Sequence, residues 1–243
     1  MKKQVIVTTS WDDGHKLDLT LAKLLKKYEI KGTFYISPEN REFKKSDLLS
    51  NEEIVALSTD FEIGAHTMTH PRLTKICERE AYSEIFQSKR YLENLTKNKV
   101  RCFCYPAGKY NQEIKRIVKN VGFRYARTTE RFCFRISDDL LLSGVALETY
   151  RNSIPNFPLD FFRILMFSKL DPIETFNNLH WEYLAKKTFD HVIKNGGIYH
   201  LWGHSWVIER NNDWNKVEHV LSYIGRRKNI KYLTNYETVD ITK

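Results

Sequence analysis

Apolar and polar positions along this chain switch repeatedly between two periods. QVIVTTSW (residues 4–11) is a β-branched run that predicts a strand, and LDLTLAKLLKKYEI (17–30) has apolar residues three and four apart, the spacing of an amphipathic helix. The alternation continues with strand KGTFYIS and helix SNEEIVALST, where Ser50 or Asn51 is the cap and acids fill the first turn. Strand FEIGAH, helix EREAYSEIFQSKRYLENLTKN, strand VRCFCYP, helix NQEIKRIVKNVG (closed by Gly122) and strand FRYARTT follow. From 130 to 180 the pattern loosens around the aromatic-rich IPNFPLDFFRILMF, to which no element is assigned. Helix NLHWEYLAKKTFDHVIKNGG, strand IYHLWGH, helix DWNKVEHVLSYIGRRKN and strand KYLTN close the chain. Such β-α alternation implies a parallel sheet, doubly wound or closed into a barrel. With no internal repeat, low-complexity tract or linker, residues 1–243 read as one domain.

Composition narrows the class. With 42% hydrophobic and 28% charged residues, the chain fits a folded globule rather than a disordered one. No apolar run approaches the roughly 18–20 residues of a membrane helix, and MKKQVIVTTSWDD lacks a signal-peptide core, so a cytoplasmic chain is expected. Four cysteines do not make a disulfide framework. Cys102 and Cys104 alternate along a strand and should share a packed face, and no zinc site is expected from them because no matching Cys or His pair accompanies them. The 39 basic against 30 acidic residues leave a net charge of +9. These charges are scattered in pairs such as Lys26-Lys27 and Arg226-Arg227, as solvated helix faces that could attract anionic substrates. A nucleic-acid surface would gather them on one stripe, so no nucleic-acid partner is expected.

The polar residues fall at strand ends. Asp12 and Asp13 close the first strand, His66 and His70 follow the third, YPAG follows the fourth, and His204 follows IYHLWG. In a parallel α/β architecture these ends lie on one face, where barrel active sites are built. HTMTH spaces two histidines four apart, which would set both imidazoles on one side of a helical turn. Two nitrogens and the Asp13 carboxylate suit a divalent transition metal: zinc first, with Co, Ni, Mn and Fe also accepted by this ligand set. A fourth position would remain for water, and Asp12 would be free to take its proton. Two adjacent acids on a solvated turn are the plainer alternative.

SWDDG, HTMTH, YPAGKYN and HLWGH, in this order behind predicted strands, together resemble the polysaccharide deacetylases of the NodB-homology group, carbohydrate esterase family four. The resemblance implies a distorted (β/α) barrel with parallel strands and removal of acetyl groups from N-acylated sugars with a bound divalent metal. It implies Asp12 as catalytic base, Asp13, His66 and His70 as metal ligands, and His204 as general acid. Leu201 would line the acetyl pocket, and Ala107, after Tyr105 and Pro106, would offer its backbone N–H to the oxyanion. The arginine that commonly stands two residues before the motif proline is replaced by Cys104. Arg127 could substitute for it or form a surface salt bridge. The acid that should orient His204 is not recognisable, with Glu148, Glu209 and Asp213 all open. His15, His180, His191, His200 and His219 read as structural or exposed, with His200 pointing away from the site. Trp206, beside Trp11, Tyr105 and Trp202, is a candidate for stacking on sugar or for the core. Hydrolysis of a non-sugar C–N bond (a formamide or cyclic ureide) and a catalytically silent carbohydrate-binding protein are the alternatives.

Overall fold

A computed structural model describes residues 4–149 and 180–241. The irregular stretch IPNFPLDFFRILMF lies outside the described residues. The strands are β1 (Val5–Asp13), β2 (Thr33–Ile36), β3 (Glu62–Ala65), β4 (Cys102–Cys104), β5 (Tyr125–Arg127), β6 (Leu147–Glu148), β7 (Gly197–Gly203) and β8 (Lys231–Tyr232). The helices are α1 (Asp18–Lys27), α2 (Asn51–Leu57), α3 (Glu78–Thr96), α4 (Gln112–Asn120), α5 (Trp181–Asn195), α6 (Ser205–Arg210) and α7 (Trp214–Ile224).

The helices form where the apolar spacing demanded. α3 buries Ala81, Ile85, Ser88 and Leu92, and α7 buries Val217, Val220, Leu221 and Ile224, each a single stripe three or four residues apart. Ser50 caps α2 in a reciprocal box: its Oγ accepts from Glu53 N at 3.2 Å and its own N donates to Glu53 Oε2 at 2.8 Å. Three details differ from the sequence expectation. α7 stops at Ile224, before Gly225, and β6 and α6 were not anticipated, because two and six residues are too few to show a period.

Described strands pair in parallel in the order β5-β4-β3-β2-β1-β7-β6, and β8 pairs with the first half of β1 below β2. All nine residues of β1 are buried, as expected of a central strand covered on both faces. Four strand spacings separate β1 from β5, roughly 19 Å in a flat sheet. Yet Asp12 on β1 touches both Cys104 on β4 and Arg127 on β5, so the sheet curls until its inner face meets itself. The segment after β5 draws the edges together. Thr128 N donates to Ser143 O at 2.8 Å, and Ala146 N donates to His200 O of β7 at 2.9 Å. The fold is a parallel, distorted (β/α) barrel, as expected.

Strand parity sorts the two faces. Val5, Val7 and Trp11 belong to the large outer core under the helices. The inner face instead carries Tyr35, Cys102, Cys104 and Tyr125 as a separate small cluster. Cys102 and Cys104 thus share a buried face. No helix among the described residues is long and apolar enough to cross a membrane.

Candidate metal and acyl-transfer site

At the end of β1 two adjacent carboxylates part company. Asp12 keeps the strand's parity and faces the interior. Asp13 has left-handed backbone (φ 84°), which turns its side chain toward the loop after β3. Its Oδ1 lies 3.6 Å from His66 Nε2 and 3.4 Å from His70 Nε2, and the two Nε2 atoms are 3.2 Å apart.

HTMTH is not a helical turn. Thr67 and His70 both have positive φ (66° and 62°), and the segment is a loop that folds the second imidazole back over the first. Outside contacts set that shape. Glu84 on α3 accepts from Met68 N and Thr69 N, each at 2.8 Å, and from Thr69 Oγ1 at 2.7 Å. The chain after β2 adds Glu39 N to Met68 O at 2.9 Å.

The hydrogen bonds on the far ring nitrogens define what the near ones offer. His66 Nδ1 lies 2.8 Å from the Cys104 carbonyl and His70 Nδ1 lies 3.0 Å from Glu42 Oε1; neither partner can donate, so both Nδ1 atoms carry the proton. In the neutral rings both Nε2 atoms then present lone pairs. Burial pushes the His66 imidazole down to about 4, despite the carboxylates beside it, and so keeps it neutral. With both rings neutral, two lone pairs and a buried carboxylate oxygen with no hydrogen-bond partner converge. A cation resolves that repulsion, and a two-nitrogen, one-oxygen donor set suits a divalent transition metal. Asp13, His66 and His70 therefore form a grouping that could hold a metal.

Asp12 belongs to a different network. Its Oδ2 accepts from Arg127 Nη2 and from Cys104 Sγ at 3.4 Å, while its Oδ1 is buried without a partner. Burial alone would raise this carboxyl, but Arg127, His66 and His204 more than offset it and hold it at about 2. Arg127 is fully buried between the rings of Trp202 (4.3 Å) and Tyr35 (5.5 Å) and also donates to Cys104 Sγ at 2.8 Å. Of the two readings open for Arg127, the structure shows the buried ion pair with Asp12. Cys104 Sγ groups with Asp12 and His66 closely enough to suggest a second cation site. The guanidinium already held by Asp12 and Cys104 occupies that role.

His204 stands at the start of α6, its Nε2 3.7 Å from Asp13 Oδ2, with its ring between Trp202 and Trp206. Trp206 also donates Nε1–H to Asp13 Oδ2 at 2.8 Å, a contact that the sugar-stacking reading did not foresee. These groups line a cleft of ≈ 380 Å³ together with Tyr105, Pro106 and Ala107, the last in left-handed conformation (φ 53°).

Counting back from His204 along β7 corrects two expectations. His200 does not point away: it lies on the inner face below Asp12, bonded to Ser10 Oγ at 2.8 Å. Leu201 is packed in the outer core, and Trp202 lines the cleft in its place. The period of two was available in the sequence. Of the three acids considered for His204, Asp213 accepts from Trp181 Nε1 and Glu209 from Trp214 Nε1, and only Glu148 lines the cleft.

The chain is 28% identical over 131 residues to the Bacillus subtilis (strain 168) protein YxkH, named for polysaccharide deacetylation, covering 53% of this chain and 46% of that one. It is 32% identical over 93 residues to a peptidoglycan-N-acetylglucosamine deacetylase of Bacillus cereus, covering 37% of this chain and 31% of that one. The matched stretch is thus less than half the length of either curated relative. A solved structure from Mycobacterium smegmatis, assigned to the polysaccharide deacetylases, superposes with a TM-score of 0.70 at 13% identity, covering 99% of this chain and 91% of that one, and shows the shared fold. The family model described as polysaccharide deacetylase matches residues 1–126, more than half of the 243, and the chain belongs to that family.

Proposed function

We propose that the chain is a metal-dependent hydrolase that removes an acetyl group from an N-acetylated carbohydrate. One observation carries the reading: the adjacent carboxylates serve two networks, Asp13 with the histidine pair and Asp12 with Arg127, on the floor of one cleft. The name of the Bacillus cereus relative supplies the class of bond.

Asp13, His66 and His70 would hold the ion, with zinc the first candidate. When bound, it polarises the acyl carbonyl and lowers the pKa of water toward about 7. The remaining chemistry falls to side chains. Asp12 Oδ1, buried and unpartnered, accepts the proton of the attacking water, and the Arg127 pairing keeps Asp12 ionised wherever the histidines are neutral. Backbone N–H at Ala107 receives the charge that develops on the carbonyl oxygen. His204 protonates the departing amine, which is a poor leaving group until then, and Glu148 is the acid on the cleft wall that would orient it. Glu42 fixes the His70 tautomer.

Zinc-supplied protein should release acetate from an N-acetylated chitotriose. His204→Ala should retain its metal, measured by atomic absorption, while kcat falls about 10²- to 10⁴-fold. Failure to release acetate from any N-acetylated sugar would sink the proposal.

A further inference from the structure

The cleft is acidic at its floor and basic at its rim. On the floor, Asp12 is paired with Arg127 and Asp13 with Trp206 and the histidines, while the exposed Glu42 is already paired with His70. At the rim stand Arg72, two residues beyond His70, and Arg131, four residues beyond Arg127. Arg72 is exposed, and while its backbone carbonyl accepts from Lys75 N at 2.8 Å, its guanidinium makes no hydrogen bond, ion pair or ring contact among the described residues, so no structural demand accounts for a guanidinium there. A third guanidinium, Arg210, lies 5.0 Å over the Trp206 ring that borders the same cleft.

We propose that the substrate carries an oxyanion, a carboxylate or phosphate, on or beside the acylated sugar unit, and that Arg72 and Arg131 bind it; this rests on the deacetylase reading above. The position follows from the shared cleft. Arg72 and His70 line the same cleft of ≈ 380 Å³, so a group held by Arg72 lies near an amide held at His70. The guanidinium fork matches both oxyanions in paired hydrogen bonds. A net charge of +9 steers such substrates toward the molecule and makes capture salt-sensitive.

Three probes decide it: N-acetylated chitotriose, the same trisaccharide oxidised to its uronic acid, and the same trisaccharide phosphorylated on a primary hydroxyl. The zinc-supplied protein should favour at least one anionic form in kcat/KM by about tenfold, as expected of one charge-assisted contact. Arg72→Ala should erase most of that preference, Arg72→Lys should restore part of it, and added salt should reduce it. The anionic form that is preferred identifies the oxyanion. Equal kcat/KM for all three, or a preference that survives Arg72→Ala with Arg131→Ala, overturns the proposal. If no probe releases acetate, the deacetylase reading fails first, and binding followed by Trp206 fluorescence still decides on the arginines. Tighter binding of an anionic form that Arg72→Ala abolishes supports them, whereas equal affinities reject them.

Discussion

Strand alternation keeps Asp12 on the inner face, while the left-handed backbone of Asp13 turns the second carboxylate toward the histidine loop, and the two identical side chains are divided between two tasks. Asp12→Asn should keep metal content intact and abolish turnover, because an amide cannot accept the proton. Asp13→Asn should lose metal from the folded protein. Equal metal loss in both, measured on protein of unchanged circular dichroism, would contradict the division. The ion pair behind Asp12 is a second measurable. Arg127 is fully buried, so Arg127→Met leaves a carboxylate uncompensated and should cost about 3–5 kcal/mol in denaturant unfolding. Adding Asp12→Asn to that variant removes the orphaned charge and should recover part of the loss. Additive losses would show that the pair is not coupled as drawn.

At the scale of elements, loops hold the site and strands aim it. The HTMTH loop is shaped by three hydrogen bonds to one carboxylate, Glu84, which reaches it from α3. Glu84→Ala should weaken metal affinity about 10- to 100-fold, the usual worth of an outer partner, with little change in global stability. Glu84→Gln, which keeps an acceptor, should recover part, and titration with zinc and a competing chelator reads both. Much of the site was legible in the sequence because it follows apolar runs whose ends are easy to place: the acids after VIVTTSW and the histidines after FEIGA. The supports were not legible. Glu42 lies in an irregular loop, and Glu84 looks like any acid on a long amphipathic helix, so neither carries a periodic signal. Trp206 was visible as a stacking candidate, but its bond to Asp13 was not, because the helix that aims it is too short to show a period. The shape of HTMTH was misread because a four-residue spacing suggests a helix, while Glu84 and the positive φ of Thr67 and His70 dictate a loop. Arg127 was visible as a candidate, but only the curl of the sheet brings β5 across to β1.

For the whole molecule, curling a parallel sheet around polar residues has a consequence that pH can read. His66 is held at about 4 and His200 well below its ordinary value, both by burial first. Their folded forms refuse protons that the unfolded chain binds below about 6.5, so they make the metal-free protein less stable as pH falls through that value. Asp18, wholly buried at the start of α1, acts with the opposite sign. Burial first, then Asp13 and Asp12, push its carboxyl well above 3.8. The folded state therefore keeps a proton that the unfolded chain releases above about 3.8, and stability is lost as pH rises from there toward the folded pKa. Asp18→Asn is neutral at every pH and removes this contribution alone. Relative to the parent, the variant should gain stability as pH is raised from 4 toward 7, by up to about 1.4 kcal/mol per pH unit until the folded pKa is passed. The difference between the two proteins cancels the histidines, which both retain. Paired urea unfolding curves of chelator-treated protein across that range measure it. A difference that stays constant from pH 4 to 7 would mean that Asp18 titrates normally, and that the buried end of α1 admits enough water to solvate its charge.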